Sequence, residues 1–477
     1  MPYGAGRAGF SSVRWEGSRT NNNIKMEFYV NKLTAFFTEL MRRYMPDPFV
    51  FAIGLTLLTM ILAVLVEGQN PAQTLQSWGD GFWNLLAFTT QMAVILAMGY
   101  VLATSPLIDG LLNRIVDKVE RPRTAIIVAT LVGGIGSYLN WGFGLVIGGI
   151  VARKLALHVK GVHYPLIIAA AYSGFTLYGL GLSATIPVLI STPGHPMEAK
   201  MGLIGLGETI FSLPMLLTSL AVIITMPLLN AWLHPRLAKD VVEIDPALRE
   251  DNSAKGPSAV DGLFADGTLA SKLNNSRFLS LAIGLLGLGY LALHFIKGGS
   301  LDLNKVNFLI LFLGILLLKT PALYIAKLSE GIKTITGIIL QYPFYAGIMA
   351  MMHSSGLVDS ISRGFVEIST AQTLPFWGLL SSFVINFFAP SGGGHWAIQG
   401  PFMIEAAKAL NSSLAQTSMA VMLGNAWNDL VQPFWILPAL ALSRLRLKDI
   451  MGYTVIIMMW VGLIYIAAVL LWGYLSH

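Results

Sequence analysis

Cysteine is missing from all 477 residues, which excludes disulfides and thiolate metal sites. Charge is scarce as well: 12 % of the residues are Asp, Glu, Lys or Arg, while 55 % are hydrophobic and the mean hydropathy is +0.65. Too little polar material remains to cover a soluble surface, so the chain reads as a polytopic membrane protein. No Walker A sequence, H-E-x-x-H or G-x-S-x-G occurs, and no segment has room for the nucleotide domain of an ATP-driven pump. A membrane-embedded enzyme built on Ser391, His395 and Asp429 stays open as an alternative, although catalysis has no need of the duplication described next.

What the chain does have is long apolar runs. Phe49 to Val66, Phe82 to Leu102, Leu206 to Leu229, Phe278 to Phe295, Val306 to Leu318, Ile332 to Met352 and Tyr453 to Trp472 are each candidates to span a hydrocarbon core of about 30 Å. Four further runs, 124–157, 164–190, 374–410 and 414–442, are interrupted by Gly, Pro, Asn or Asp. They predict two helical hairpins and two broken spans. The order of these segments repeats at an offset of 250, with Pro71/Pro321, Gln91/Gln341, Asp109/Asp359, Gly142/Gly392, Gly144/Gly394 and Gly174/Gly424 among the matches. Interrupted helices at corresponding positions of two halves mark a transporter's binding site.

The +6 formal charge is distributed rather than gathered into a binding patch, and no nucleic-acid partner is expected. With the N-terminus inside and both hairpins returning to their side of entry, 26 of the 31 Lys and Arg residues fall on inner segments. Only Lys200, Lys297, Lys305, Arg363 and Lys408 fall outside, which is the asymmetry of the positive-inside rule. This topology inverts the second half relative to the first and leaves the C-terminus outside. Residues 1–47 then comprise a disordered tail and a helix over Glu27 to Tyr44 lying on the inner interface. The first repeat occupies 48–233, an inner loop 234–276, a linking span 277–300 and the second repeat 301–477. The expected fold is all-α, with two inverted repeats carrying paired re-entrant hairpins and broken transmembrane helices.

Non-helical backbone at membrane depth survives only when buried in protein or lining a wet cavity. Asn140 to Gly144 and Pro390 to Gly394 are therefore predicted to line one, with helix N-termini opening after them to attract an anion. The facing breaks, Ser173 to Ser183 and Gly424 to Asp429, would expose oxygens suited to Na⁺ or H⁺. The plainer reading of the glycines is close helix packing. Asp429, deep in an apolar run, reads as a cation ligand, a proton carrier or a carboxylate paired locally with Asn425 or Asn428. His395 reads as a donor to a carboxylate or as a structural hydrogen bond at a hairpin tip. Glu405 and Lys408 are spaced for a local ion pair, and Gln91 and Gln341 for bonds between helices.

Pro390-Ser-Gly-Gly-Gly-His-Trp-Ala-Ile-Gln-Gly-Pro-Phe402 and Gln432-Pro-Phe-Trp-Ile-Leu-Pro438 closely resemble signatures of the bacterial short-chain fatty acid transporter family, the AtoE-like proteins. Trp78 to Ala87, Asn140 to Val146, Gln341 to Gly347 and Lys448 to Tyr453 resemble it too, so the likeness runs in order over nearly all of Met45 to Leu475. The resemblance implies uptake of short carboxylates such as butyrate or acetoacetate across a bacterial inner membrane. Through the ion transporter superfamily it also implies an elevator-type homodimer. On this reading the substrate carboxylate is held by Gly142, Gly144, Gly392, Gly393 and Gly394 with Ser391 and His395. Trp141, Phe143 and Trp396 pack its tail, while Asn140, Thr176, Asn425 and Asp429 hold the symported H⁺ or Na⁺. No cofactor is expected, and another small carboxylate is the alternative cargo. The extension before Met26 has no family counterpart, and Asp429 stands where another member carries an amide.

Overall fold

The computed structural model describes residues 48–235, 237–245 and 268–475, and every regular element among them is helical. The first half comprises α1 (Pro48–Leu65), α2 (Pro71–Gly81), α3 (Leu86–Ala103), α4 (Pro106–Val116), α5 (Pro122–Leu139), α6 (Trp141–His158), α7 (Tyr164–Ser173), α8 (Thr185–Ile190) and α9 (Leu213–Trp232). After α10 (Arg277–Ile296) come α11 (Leu303–Leu318), α12 (Pro321–Ile332), α13 (Thr336–Ser355), α14 (Leu357–Ile368), α15 (Leu374–Ile385), α16 (Gly392–Leu410), α17 (Leu414–Asp429), α18 (Pro433–Ser443) and α19 (Leu447–Leu475). Proline opens α2, α4, α5, α12 and α18, where its missing N–H is no loss. The predicted interfacial helix over Glu27 to Tyr44 and the tail before it lie outside the described residues.

Element for element, the halves correspond. Pro71 and Pro321, Leu86 and Thr336, and Tyr164 and Leu414, which open α2/α12, α3/α13 and α7/α17, are each 250 residues apart. Packing exchanges the copies: α3 lies on α11 and α12, while α13 lies on α1 and α2. Likewise α8 packs on α16 and α17, and α18 packs on α6 and α7. Each half thus completes the other. Burial follows this centre, since 94 % of the most apolar window in Tyr164–Ile190 is buried against 22 % of that in Arg277–Ile296. Seven helices among the described residues are long and apolar enough to cross a membrane.

The breaks sit differently from the sequence expectation. In the first hairpin only Asn140 is extended, at φ −155° and ψ 126°, and its Oδ1 accepts the Phe143 N–H at 2.8 Å to cap α6. Ser391 repeats this at φ −154° and ψ 121°, its Oγ accepting the Gly394 N–H at 3.2 Å to cap α16. The glycines therefore occupy the first helical turns, and none of them needs a positive φ. They are required by close approach: a Cβ on Gly144 would lie 2.1 Å from the Ser137 nitrogen and one on Gly394 2.2 Å from the Tyr345 ring. Helix α17 also runs unbroken through Gly424 to Asp429, and its break falls at 430–432. A Cβ on Gly424 would lie 2.3 Å from the Leu379 carbonyl oxygen, so this glycine seats α17 on α15. The first broken span unwinds as expected after Ser173, through a 3₁₀ turn over Gly174–Leu180.

Part of the 234–276 loop is anchored to the start of α7. The Tyr164 N–H donates to the Val242 carbonyl at 2.7 Å, the Val242 N–H donates to His163 Nδ1 at 3.0 Å, and the Gly161 N–H donates to Glu243 at 2.7 Å. With Nδ1 accepting, neutral His163 carries its proton on Nε2, 2.9 Å from the Tyr453 hydroxyl. Burial, assisted by neighbouring His234, pulls the His163 pKa down from 6.5 to about 4. The unfolded chain thus takes up this proton first, and stability is lost as pH falls from about 6.5 towards 4. Thermal unfolding in detergent is expected to drop over that window, and less steeply in His163→Asn, which keeps an acceptor and does not titrate. Equal slopes in the two proteins would reject His163 as the titrating group.

Candidate functional site

Two adjoining features lie where the halves meet. The first is a cavity lined by both hairpin tips (Trp141; Ser391 and Gly392), both broken spans (Phe175, Tyr178 and Thr185; Phe434 and Trp435) and the bracing helices α3 (Met92) and α13 (Gly337, Ile338, Gln341 and Tyr342). The lining has no Asp, Glu, Lys, Arg or His. Its polar groups are hydroxyls, an amide and indoles, set among rings that pack edge-on and tilted: Trp141 and Trp435 centroids are 5.5 Å apart, as are those of Phe175 and Trp435. About 20 Å³ is open to the centre of a water molecule, room for a water or two and not for a four-carbon acid. A larger occupant requires the tips and broken spans to part.

The Tyr342 hydroxyl stands at the N-terminus of α16. It accepts from Ser391 Oγ at 3.1 Å, and the backbone N–H groups of Gly393 and Gly394 address the same oxygen. At the second hairpin tip, part of the donor set expected to hold an anion thus faces a phenol oxygen from α13.

The second feature is a buried polar network around Asp429. Its Oδ2 accepts from the Tyr178 hydroxyl at 2.8 Å and its Oδ1 from Asn386 Nδ2 at 2.7 Å. The Tyr178 hydroxyl also lies 2.5 Å from Asn425 Oδ1, and Asn425 Nδ2 donates to Asn386 Oδ1. Asn386 Nδ2 is shared further with Asn428 Oδ1 at 3.1 Å, and the Gln432 amide donates to the Asn386 carbonyl at 3.0 Å. Tyr178 belongs to both features: it lines the cavity and donates to the carboxylate.

Of the four residues expected at the cation site, Asn425 and Asp429 share two partners, Tyr178 and Asn386. Thr176 joins them through the Ala426 carbonyl, to which its hydroxyl donates at 3.2 Å. Asn140 does not join: it caps α6, and its Nδ2 has no partner. The local pairing open to Asp429 is replaced by donors from the other broken span and from the second hairpin. Of the residues expected around substrate, Trp141, Ser391 and Gly392 line the cavity. Gly393 lies behind them against Phe88 and Tyr342, and Gly394 against Tyr345. Gly142 backs onto Leu96, Gly144 onto Ser137, and Phe143 is buried at the start of α6. Trp396 is buried over Gly400, away from the cavity lining.

His395 lies on the network side. Its Nε2 is 3.0 Å from Ser382 Oγ and 2.5 Å from Gln399 Oε1, and its Nδ1 is 3.5 Å from Asn425 Nδ2. Ser391 bonds Tyr342 rather than His395, so the expected Ser391 and His395 do not pair; the hydroxyl beside His395 is that of Ser382, which donates to the Val421 carbonyl at 2.6 Å. Glu405 pairs with Lys200 of the first half at 3.1 Å rather than with Lys408. Gln91 crosses to Asn304 at 2.8 Å, whereas Gln341 accepts from Tyr345 on its own helix at 3.3 Å and lines the cavity. Sequence reasoning missed Tyr178 and Asn386. The signal available for Asn386 was a lone amide inside an apolar run just before the Phe387-Phe-Ala-Pro390 turn.

Comparison with known proteins agrees with this architecture. The family model described as short chain fatty acid transporter matches residues 29–472. A chain from Escherichia coli K12 named as a short-chain fatty acid transporter is 41 % identical over 438 residues, covering 92 % of this chain and 98 % of its own length. One of the same name from Haemophilus influenzae is 39 % identical over 432 residues, covering 89 % and 96 %. The crystal structure of the Alcanivorax borkumensis YdaH transporter, described as having an unusual topology, aligns with a TM-score of 0.58 at 15 % identity. That alignment covers 90 % of this chain and 99 % of YdaH, and at this identity it bears on fold alone.

Proposed function

The chain belongs to the short-chain fatty acid transporter family, and from that premise we propose that it carries short monocarboxylates such as butyrate or acetoacetate inward, in symport with H⁺ or Na⁺. It is a multi-pass membrane transporter and not an enzyme. The observation that carries the finer reading is the uncharged cavity, rich in hydrogen-bond donors and walled by aromatic rings, at the junction of both hairpin tips and both broken spans. A free carboxylic acid titrates near 4, so the cargo is an anion at pH 7. Neutral donors suit one carboxylate head, and the rings limit the tail.

Moving that anion into a negative-inside cell costs about 2.3 kcal/mol per 100 mV, and one symported cation cancels the electrical term. Asp429 is the buried carboxylate placed to carry or bind the cation, and Tyr178 connects it to the cavity. No cofactor takes part in this reading. We assign the chain to a bacterial inner membrane with its N-terminus inside and its C-terminus outside, on the distribution of Lys and Arg and on the family. Hairpins that enclose the cavity suit an elevator motion. A homodimer follows from the resemblance to the ion transporter superfamily, and the apolar surface of α10, with Phe278, Leu286 and Ile296 exposed, is available for lipid or a second copy.

The test is uptake of labelled butyrate by purified protein in sealed liposomes under a Na⁺ gradient or a pH gradient imposed separately. Accumulation driven by one gradient, and blocked by short acids but not long ones, is expected and identifies the ion. Folded protein that takes up no short acid under either gradient would turn the assignment to another small carboxylate.

A further inference from the structure

Two indole N–H groups belonging to the cavity wall have no acceptor. Trp141 is 4 % exposed and Trp435 8 %, both rings line the cavity, and neither Nε1 has a hydrogen-bond partner among the described residues. An indole nitrogen is a donor only, and leaving one buried without an acceptor costs about 1–3 kcal/mol. The rings meet edge to face, with centroids 5.5 Å apart and planes at 80°. In that arrangement one ring presents its edge and the other its face, so a contact of N–H with the partner's π system accounts for one nitrogen at most. The indoles of Trp78 and Trp396 also lack partners, but neither lines the cavity. The Trp141 and Trp435 pair is thus singled out by place as well as by lack of an acceptor.

Elsewhere in the same wall are the Ser391 and Tyr342 hydroxyls and the Gln341 amide, neutral donors of the kind that suit the carboxylate head. The hairpin tip and α13 supply those, whereas the two indoles come from α6 and α18 of opposite halves. An unsubstituted alkyl tail offers an indole N–H nothing to bond. An oxo or hydroxy oxygen on the tail offers an acceptor.

Resting on the monocarboxylate reading of this cavity, we propose that Trp141 and Trp435 form a second recognition point that reads an oxygen on the carbon chain, so that the site favours short oxo and hydroxy acids over plain fatty acids. A buried donor built for a substrate oxygen discriminates against the analogue that lacks it more sharply than an apolar wall discriminates by a methylene.

The experiment compares labelled acetoacetate, 3-hydroxybutyrate and butyrate as substrates of the full chain in liposomes, for the wild type, Trp141→Phe and Trp435→Phe. Phenylalanine keeps a ring in the wall and removes the N–H. The wild type is expected to show kcat/KM for the oxygenated acids about tenfold or more above that for butyrate, the worth of one hydrogen bond of about 1.4 kcal/mol. At least one variant is expected to lose most of that ratio, whatever it does to uptake as a whole. A wild type that transports butyrate as well as or better than acetoacetate would overturn the inference without touching the monocarboxylate reading, and so would variants whose ratio is unchanged. Transport of no acid by the wild type would overturn both.

Discussion

Gly393→Leu is expected to insert into the membrane at normal abundance and to transport at below about 1 % of the wild-type rate, the order of loss that a misplacement of about 1 Å causes at a positioned site. A Cβ at this glycine would lie 2.4 Å from Phe88 Cε1, 2.5 Å from Phe88 Cζ and 2.9 Å from the Tyr342 oxygen. No rotamer of a leucine avoids those three atoms, because the clash is already made by its first carbon. Phe88 is buried and its ring leans on Tyr342 at 5.7 Å, so relief must come from moving the tip away from α3 and α13. Overpacking of this kind costs about 1–3 kcal/mol, which a folded domain with about 5–15 kcal/mol of stability survives. Function does not survive it, because the same shift carries Ser391 and the first N–H groups of α16 out of register with the cavity. Gly393→Ala combined with Phe88→Ala removes the two closest contacts and is expected to recover part of the rate lost by Gly393→Ala alone. Wild-type uptake by Gly393→Leu at equal abundance would remove the second hairpin tip from the transport site.

How much of this was legible in the sequence depends on whether the signal is local. Apolar runs interrupted by Gly, Asn and Pro at corresponding places in two halves gave the hairpins and broken spans to within a few residues, since a break in a membrane helix must be written where it occurs. The exact residues of the breaks were not legible. A glycine in the first turn of α6 or α16, present for close approach, carries the same letter as a glycine in a turn; Gly424, helical and seated on α15, shows the ambiguity most plainly. Partners were harder still. Asp429 takes its donors from Tyr178 and Asn386, Glu405 its cation from Lys200, and Gln91 its acceptor from Asn304. In each case spacing along a helix offered a nearer partner or named none, and tertiary packing, within the second half for Asn386 and between the halves for the others, supplied another. Of the residues expected around substrate, Trp141, Ser391 and Gly392 line the cavity, whereas the contributions of α13 and α18 depend on how the copies interlock.

Asp429→Ala is expected to leave downhill exchange of substrate measurable while abolishing cation-driven accumulation. The residue is buried at 1 % exposure, and both carboxylate oxygens are engaged. Truncation takes one acceptor from the Tyr178 hydroxyl and one from the Asn386 amide, leaving them Asn425 Oδ1 and Asn428 Oδ1, and opens a hole in the network. Asp429→Asn is therefore the cleaner variant: it retains one oxygen for Tyr178 and removes the charge, so loss of coupling in Asn as well as Ala separates a cation role from simple loss of stability. If one cation accompanies one anionic substrate, its loss leaves the anion working alone against the membrane potential. At 100 mV the penalty of about 2.3 kcal/mol corresponds to about a 50-fold lower limiting accumulation. Tyr178 makes a further distinction available, because it touches both the carboxylate and the cavity. Tyr178→Phe should weaken coupling while sparing the charge on Asp429, and it should also alter substrate affinity, which Asp429→Asn should change less. Counterflow and gradient-driven uptake measured on the three variants side by side decide the matter: an unchanged cation response in Asp429→Asn would place the coupling ion elsewhere and leave this network a structural one.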